Sequence, residues 1–430
     1  MPRPHMGMSK NKPLSIFNVA SLGIGAMVGA GIFALLGQAA ILVHSATWLS
    51  FAIGGVIALF AGYAYSCLGA FYPSRGGIID FFQHGLHSRF LANMLSLLYL
   101  ITLALSIAMV ARTFGAYALQ LFHTHSSSIW LLRAYTGGAI CTLALVNIIS
   151  SNAVGRTELI LVAIKLSILA ILIVAGIMTI KPQLLEIHQL PKTNELLSSV
   201  GITFFAYAGF GMMANASDKV SNPCKTMPKA FMTAICVTIV LYISLSLVLL
   251  GNVSPQDLAK HADTAVAQAA YPILGSVGFT IVSIGALLAT ASAINATLFS
   301  AFNIMYSMGL SHRLPSLFKH VLWRQATYGN MLVIATVFVL SVTLNLSSLA
   351  NVASATFLIC YLAVFIVAWR LRHAIHASAI LVLMGFILML TVFSGFIYSL
   401  LMQGGEDATY LLVALLASGL IAWHADRHSH

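Results

Sequence analysis

Charge is what this chain most lacks. Of its 430 residues only 7% are Asp, Glu, Lys or Arg, while 60% are hydrophobic and the mean hydropathy is +0.95. A soluble domain carries roughly 25% charged residues, because its surface has to be wetted. A chain this poor in charge places most of its surface against lipid, which excludes a soluble globular class and implies an integral membrane protein. Acids are the scarcer sign, with 10 Asp and Glu against 21 Lys and Arg. The net charge of +11 is no nucleic-acid footprint, since the bases sit in short runs between apolar stretches rather than along one face. Cysteine is scarce too. Cys67, Cys141, Cys224, Cys236 and Cys360 show no CxxC spacing and fall mostly in apolar segments, where the thiol is a small hydrophobe. We read no disulfide, no metal site and no cofactor from them. Strand alternation is missing, which argues against a β-barrel. No cleavable leader is read either: Met1–Pro13 is polar and basic, and the apolar run behind it is too long for a signal-peptide core.

What the chain has is long apolar runs. A spanning helix needs about 20 apolar residues. Twelve are expected, at roughly 14–43, 48–72, 91–122, 129–150, 157–180, 196–217, 229–251, 271–310, 328–346, 348–370, 377–402 and 408–424. The bases set the orientation. With the N-terminus inside, 15 lie in cytoplasmic segments: Arg3, Lys10, Lys12, Arg75, Arg89, Arg156, Lys219, Lys225, Lys229, Arg313, Lys319, Arg324, Arg370, Arg372 and Arg427. Only Lys181, Lys192 and Lys260 lie outside, and Arg112, Arg133 and Lys165 fall within spans. The bias puts both termini in the cytoplasm of a multi-pass protein of the cell's inner membrane.

Two spans break the pattern. The first carries Gly25, Gly29 and Gly31 in its interior, and the sixth carries Gly201, Gly209 and Gly211. Each thus holds a Gly-x-Gly, and 209 minus 29 gives an offset of 180 residues, or five spans. An odd-numbered unit that recurs must enter the membrane upside down. Glycine-interrupted helices at matching places in two halves mark a transporter's binding region, because unwound backbone is tolerated at depth only where it lines a cavity. The competing reading is close packing of the small-xxx-small kind, which Gly25 and Gly29 also fit.

At these residues the sequence resembles the amino acid–polyamine–organocation permeases. Ile24-Gly25-Ala26-Met27-Val28-Gly29-Ala30-Gly31-Ile32-Phe33 is similar to the family's first-helix signature, and Leu68 to Gly77 to the motif that closes the second helix. Lys165 stands where the family has a fifth-helix lysine. Phe204 to Phe210, followed by Val220-Ser221-Asn222-Pro223 and Pro228-Lys229-Ala230, resembles the sixth helix and its loop, and Asn303 through Pro315 a degraded end of the eighth. The resemblance implies an all-α membrane fold of five plus five inverted helices, with broken first and sixth helices and two extra helices after them. The expected organisation is therefore a tail at 1–13, inverted repeats at 14–180 and 196–370, and an addition at 377–424, forming one transporter domain. It further implies alternating-access transport of an amino acid. The substrate carboxylate would meet N–H groups of Gly29, Ala30 and Gly31 at a half-helix end. Its ammonium would meet carbonyls of Phe205, Ala206 and Ala208 beside Gly209, with the Phe205 ring capping the ligand. Lys165 would stand in for the cation of sodium-coupled relatives and tie the first helix to the eighth, so sodium-independent transport is expected. By position alone it is roughly 10 Å deep, a costly place for a lysine, and snorkelling is the alternative.

The departures carry information. Every Asp and Glu maps to a loop, a helix end or the surface, and the family's acids in the second and sixth helices are Cys67 and Gly211 here. With no buried carboxylate, a cationic substrate is disfavoured. Arg112, in the outer half of the third span without an acid partner, is a vestibule candidate that could orient an anionic group, or else is satisfied by carbonyls. Arg133 is expected to snorkel. A small neutral amino acid is the expected substrate, an anionic one or a non-transporting sensor of the same fold the alternative; exchange and proton coupling stay open. His123 and His125, and the histidines of the C-terminal tail, carry no site. The lipid bilayer and the amino acid are the expected partners; the oligomeric state stays open.

Overall fold

The computed structural model describes residues 14–74, 76–122, 128–149, 154–186, 191–310, 314, 318, 320–323, 326–402 and 404–427, the side chains of Ala30 and 154–158 aside. The tail at 1–13, Arg75, His123, His125, Arg313, Pro315, Lys319, Arg324, His428 and His430 lie outside the described residues, as does the side chain of Arg156.

Apolar runs of this length bond their own backbone as helices, since lipid offers no other partner for N–H and C=O. The described long helices are α1 (Ile16–Val43), α2 (Thr47–Phe71), α3 (Arg89–Phe122), α4 (Ile129–Ile149), α5 (Val154–Ile177), α6 (Thr193–Tyr207), α7 (Pro223–Asn252), α8 (Ala265–Leu310), α9 (Tyr328–Thr343), α10 (Leu346–Leu371), α11 (Ala379–Met402) and α12 (Glu406–Arg427). They correspond one to one with the twelve expected runs. A small antiparallel pair, β1 (Val321–Trp323) and β2 (Ala326–Thr327), precedes α9. The outside of the bundle is apolar: Met178 is 85% exposed, Ile380 69% and Leu420 64%. In water such a surface would be untenable, whereas in lipid it is the expected solvent-facing side.

Boundaries moved where proline and glycine act. α7 begins six residues before the expected 229, because Pro223 sits at its first turn, where the missing N–H costs nothing, and Pro228 is carried inside it. α8 holds a kink: Pro272 is followed by Gly275 at φ 67°, a left-handed conformation that needs glycine.

The sixth span changes character in mid-course. Its α-helix ends at Tyr207 and tightens into a 3₁₀ helix over Ala208–Lys219. The first span does not share the expected break. α1 is α-helical from Ile16 to Val43, so the backbone of Gly29, Ala30 and Gly31 lies within the helical run rather than at a free half-helix end. The reason is contact: these glycines are used to bring neighbouring helices against α1, as described below. α3 and α10 are buried along most of their length, whereas α4, α5, α11 and α12 bury about a quarter of theirs and form the rim.

Both ends of α1 are tied down. At the end nearest the chain's start, the Leu14 N–H donates to Lys219 O at 3.0 Å, at the end of the 3₁₀ segment, which Ser217 in turn ties to the loop after α2 by accepting from the Ser74 N–H at 3.0 Å. At the other end, Gln38 Nε2 donates to Asp263 Oδ1 at 3.3 Å. Asp263 lies in a short turn whose Ala262 backbone packs where a side chain at Gly37 would stand.

Candidate functional site

In lipid, helices gain little from apolar contact with each other, so association rests on close backbone approach at small residues and on interhelical hydrogen bonds. The glycines of α1 and the sixth span supply the first. A Cβ at Gly29 would meet Ala293 Cβ at 2.8 Å and Ala289 O at 2.9 Å, so this glycine seats α1 on α8. A Cβ at Gly31 would meet Ala206 O and Tyr242 Oη, each at 2.5 Å, so this one seats α1 on α6 and α7. Gly209 returns the contact from the 3₁₀ segment, where a Cβ would come within 2.7 Å of Ala26 C and Met27 N. The two glycine-bearing segments, 180 residues apart in sequence, therefore cross each other, Gly31 against Ala206 and Gly209 against Ala26 and Met27.

Side-chain donors supply the second. Tyr242 Oη on α7 donates to Met27 O at 2.6 Å and lies 3.2 Å from Ala206 O, bridging α1 and α6. Tyr361 Oη on α10 donates to Ala208 O at 2.9 Å, at the junction of α-helix and 3₁₀ helix. Of the three carbonyls expected to face an ammonium group, that of Ala208 accepts from a tyrosine hydroxyl and that of Ala206 lies within reach of another. Phe205 is buried against Phe357 of α10, with ring centroids 4.9 Å apart, and Ala206 and Ala208 are buried beside it.

Lys165 is 1% exposed, so it does not snorkel. Its Nζ donates to Gly25 O of α1 at 2.9 Å and reaches Ser292 Oγ of α8 at 3.5 Å. The ammonium therefore joins α1 to α8, as expected of it, within one helical turn of Gly29. The Gly25 carbonyl takes a charge-assisted bond of the strong kind, which offsets the cost of burying the ammonium.

Arg112 does not fit its vestibule role in this structure. Its Nη1 donates to Ser341 O at 3.1 Å, and Arg133 Nη2 donates to Val342 O at 3.3 Å, with the Arg133 guanidinium over the Trp130 ring at 5.3 Å. Both arginines thus serve the last turn of α9, where carbonyls without helical partners and the negative end of the dipole favour cations. Arg133 is a helix clamp rather than a snorkelling side chain. Nor does Arg112 lack an acid: Asp263 is within reach of its charge. That carboxylate does map to a loop, as read from sequence, but it is packed down onto α1 rather than free in solvent.

Sequence reasoning missed Tyr242, Tyr361 and Asp263. Midspan tyrosines were the available signal, since a buried phenol in lipid needs a partner. An open groove of about 600 Å³ lies between the start of α6 and the second half of α11, lined by Thr193, Asn194, Thr391, Ser394 and Tyr398 among others.

The chain matches the amino acid permease family over residues 14–423. It belongs to that family. It is 57% identical over 416 residues to the inner membrane transport protein YbaT of Escherichia coli (strain K12), covering 97% of each chain. It is 28% identical to the methylthioribose transporter of Bacillus subtilis (strain 168), over 72% of this chain and 70% of that one. The branched-chain amino acid permease BcaP of the same organism is 23% identical, over 71% and 69% of the two chains. The protein is thus a multi-pass membrane transporter of the amino acid–polyamine–organocation superfamily. These relatives are named as transporters and permeases, not as enzymes.

Proposed function

We propose that this permease carries a small neutral amino acid across the inner membrane by sodium-independent alternating access, with both termini cytoplasmic. The observation that carries the reading is the crossing of α1 with the α6–3₁₀ junction. Gly29, Ala30, Gly31, Phe205, Ala206, Ala208 and Gly209 converge there, and no carboxylate stands among them or among Tyr242, Tyr361, Phe357 and Lys165. A zwitterion needs polar backbone for its two charged ends and no countercharge for a neutral side chain. A substrate ammonium would take over the Ala206 and Ala208 carbonyls as the Tyr242 and Tyr361 hydroxyls give way. Its carboxylate would need N–H groups of the Gly29–Gly31 segment, so binding is accompanied by local loosening of α1, which glycine permits at low cost.

The Lys165 bridge supports sodium independence, because a fixed cation already joins α1 to α8. Arg112, engaged with α9, gives no support to an anionic substrate. The relatives' names include methylthioribose, branched-chain and cationic amino acids, so the neutral amino acid rests on the site and not on kinship. Read as the inverted five-plus-five repeat expected from the sequence, α1–α5 and α6–α10 would form the two halves that alternating access needs. The test is uptake of labelled amino acids into proteoliposomes, empty or preloaded with unlabelled amino acids. Uptake chiefly on preloading identifies exchange. Absence of uptake in either state, with a proton gradient imposed as well, overturns the proposal.

A further inference from the structure

Tyr65 of α2 is wholly buried, yet its hydroxyl makes no hydrogen bond of acceptable geometry. A buried phenol without a partner is costly, and such groups are rare in native structures. Its surroundings are aromatic. The ring stacks on Tyr361 at 5.1 Å and meets Phe81 and Phe210 edge-on at 5.6 and 5.5 Å. The nearest hydroxyl is that of Tyr361, which donates to Ala208 O and keeps lone pairs that could accept, but the two phenols do not meet in hydrogen-bonding geometry. The remaining side of the niche is Gly211, where a Cβ would lie 3.1 Å from Tyr361 Oη and 3.8 Å from Tyr65 Oη. The chain thus places an unsatisfied hydroxyl against the position with no side chain, two residues after Gly209 in the candidate site.

The geometry points to Tyr65 as a specificity-determining residue that hydrogen-bonds a hydroxyl or carboxamide on the substrate's side chain. This inference rests on the amino acid reading above and narrows it to small neutral polar amino acids, of which threonine and serine are the simplest. The niche excludes the other classes by its chemistry. It holds phenols, Phe210 and a glycine, so a charged side chain would find no countercharge there. A purely apolar side chain would leave the phenol as unpartnered as it is now. A site built around a hydrogen bond rejects the analogue that lacks it far better than an apolar pocket separates two alkyl groups. With Tyr361 Oη only 3.1 Å from where a Cβ at Gly211 would stand, room for the side chain beyond the α-carbon comes from the Tyr361 hydroxyl giving way to the substrate ammonium.

Threonine and valine have nearly the same shape and differ by one hydroxyl, so their ratio reads this bond alone. In proteoliposomes, the wild-type protein takes up threonine over valine by at least tenfold, and Tyr65→Phe reduces that ratio to within about threefold. Gly211→Ala, which narrows the niche, lowers threonine uptake more than glycine uptake. Thermal shifts of the detergent-purified protein with threonine or valine give a second readout if Tyr65→Phe transports poorly: stabilisation by threonine shrinks to that by valine. If wild type carries both amino acids equally, or Tyr65→Phe keeps the full ratio, the inference is overturned while the proposed function stands. A fall in the unliganded melting temperature of Tyr65→Phe with an unchanged ratio would make the hydroxyl a structural group, which also overturns it. Failure of the wild type to carry any amino acid would instead defeat the proposed function.

Discussion

Three glycines do different work in this chain, and only their surroundings tell them apart. Gly31 and Gly209 touch opposing backbone with no room for a methyl group, whereas a Cβ at Gly138 would meet nothing within 4 Å. Gly31→Ala and Gly209→Ala therefore drive helices apart, at a cost of about 1–3 kcal/mol typical of overpacking. Each should lower the melting temperature and reduce uptake at least tenfold. Gly138→Ala should do neither, since alanine is favoured in a helix by about 1 kcal/mol. Melting curves and uptake on the three variants check this together. Arg112→Met should cost stability, about 1–3 kcal/mol for a charged hydrogen bond lost at the end of α9, without changing preference between neutral and anionic substrates in competition. A changed charge preference would restore the vestibule role. The glycines and Lys165 were legible in the sequence because both are expensive at membrane depth. The tyrosine hydroxyls were not, because their targets are carbonyls, which every residue has and no pattern marks.

At the scale of helices, the twelve runs were legible because lipid imposes length and apolarity on each one separately. Their interruptions were legible only as places. Gly29–Gly31 and Gly209–Gly211 carry the same composition, yet α1 stays α-helical and the sixth span turns 3₁₀ after Tyr207. What separates them is tertiary: α1 is held between α6 and α8, and its carbonyls at Gly25 and Met27 take side-chain donors without leaving the helix. The Lys165 link belongs to this scale. Lys165→Met keeps the bulk of the side chain while removing the bond from α5 to α1 and α8. Uptake should fall more than tenfold while the purified protein stays monodisperse in size-exclusion chromatography. A Lys165→Met variant with wild-type uptake would remove the lysine from the mechanism.

The whole molecule is a bundle whose rim is lipid-facing and whose candidate-site chemistry is gathered on α1, α5, α6, α7, α8 and α10. Its described charged groups lie at helix ends and in loops, with Lys165, Arg112 and Arg133 as the exceptions within spans, and each of these donates to backbone carbonyls. Among the described residues the crossing of α1 with the sixth span is thus surrounded by Lys165, aromatic rings and peptide groups, which suits a zwitterion with an uncharged side chain. The most direct measurement of that claim is uptake of labelled neutral amino acids into proteoliposomes at clamped potential, with external sodium replaced by choline. Unlabelled neutral, acidic and basic amino acids would serve as competitors. The account predicts uptake unaffected by the replacement and suppressed by neutral competitors, with arginine and polyamines without effect. Uptake that requires sodium, or that arginine suppresses as well as a neutral amino acid does, would contradict it.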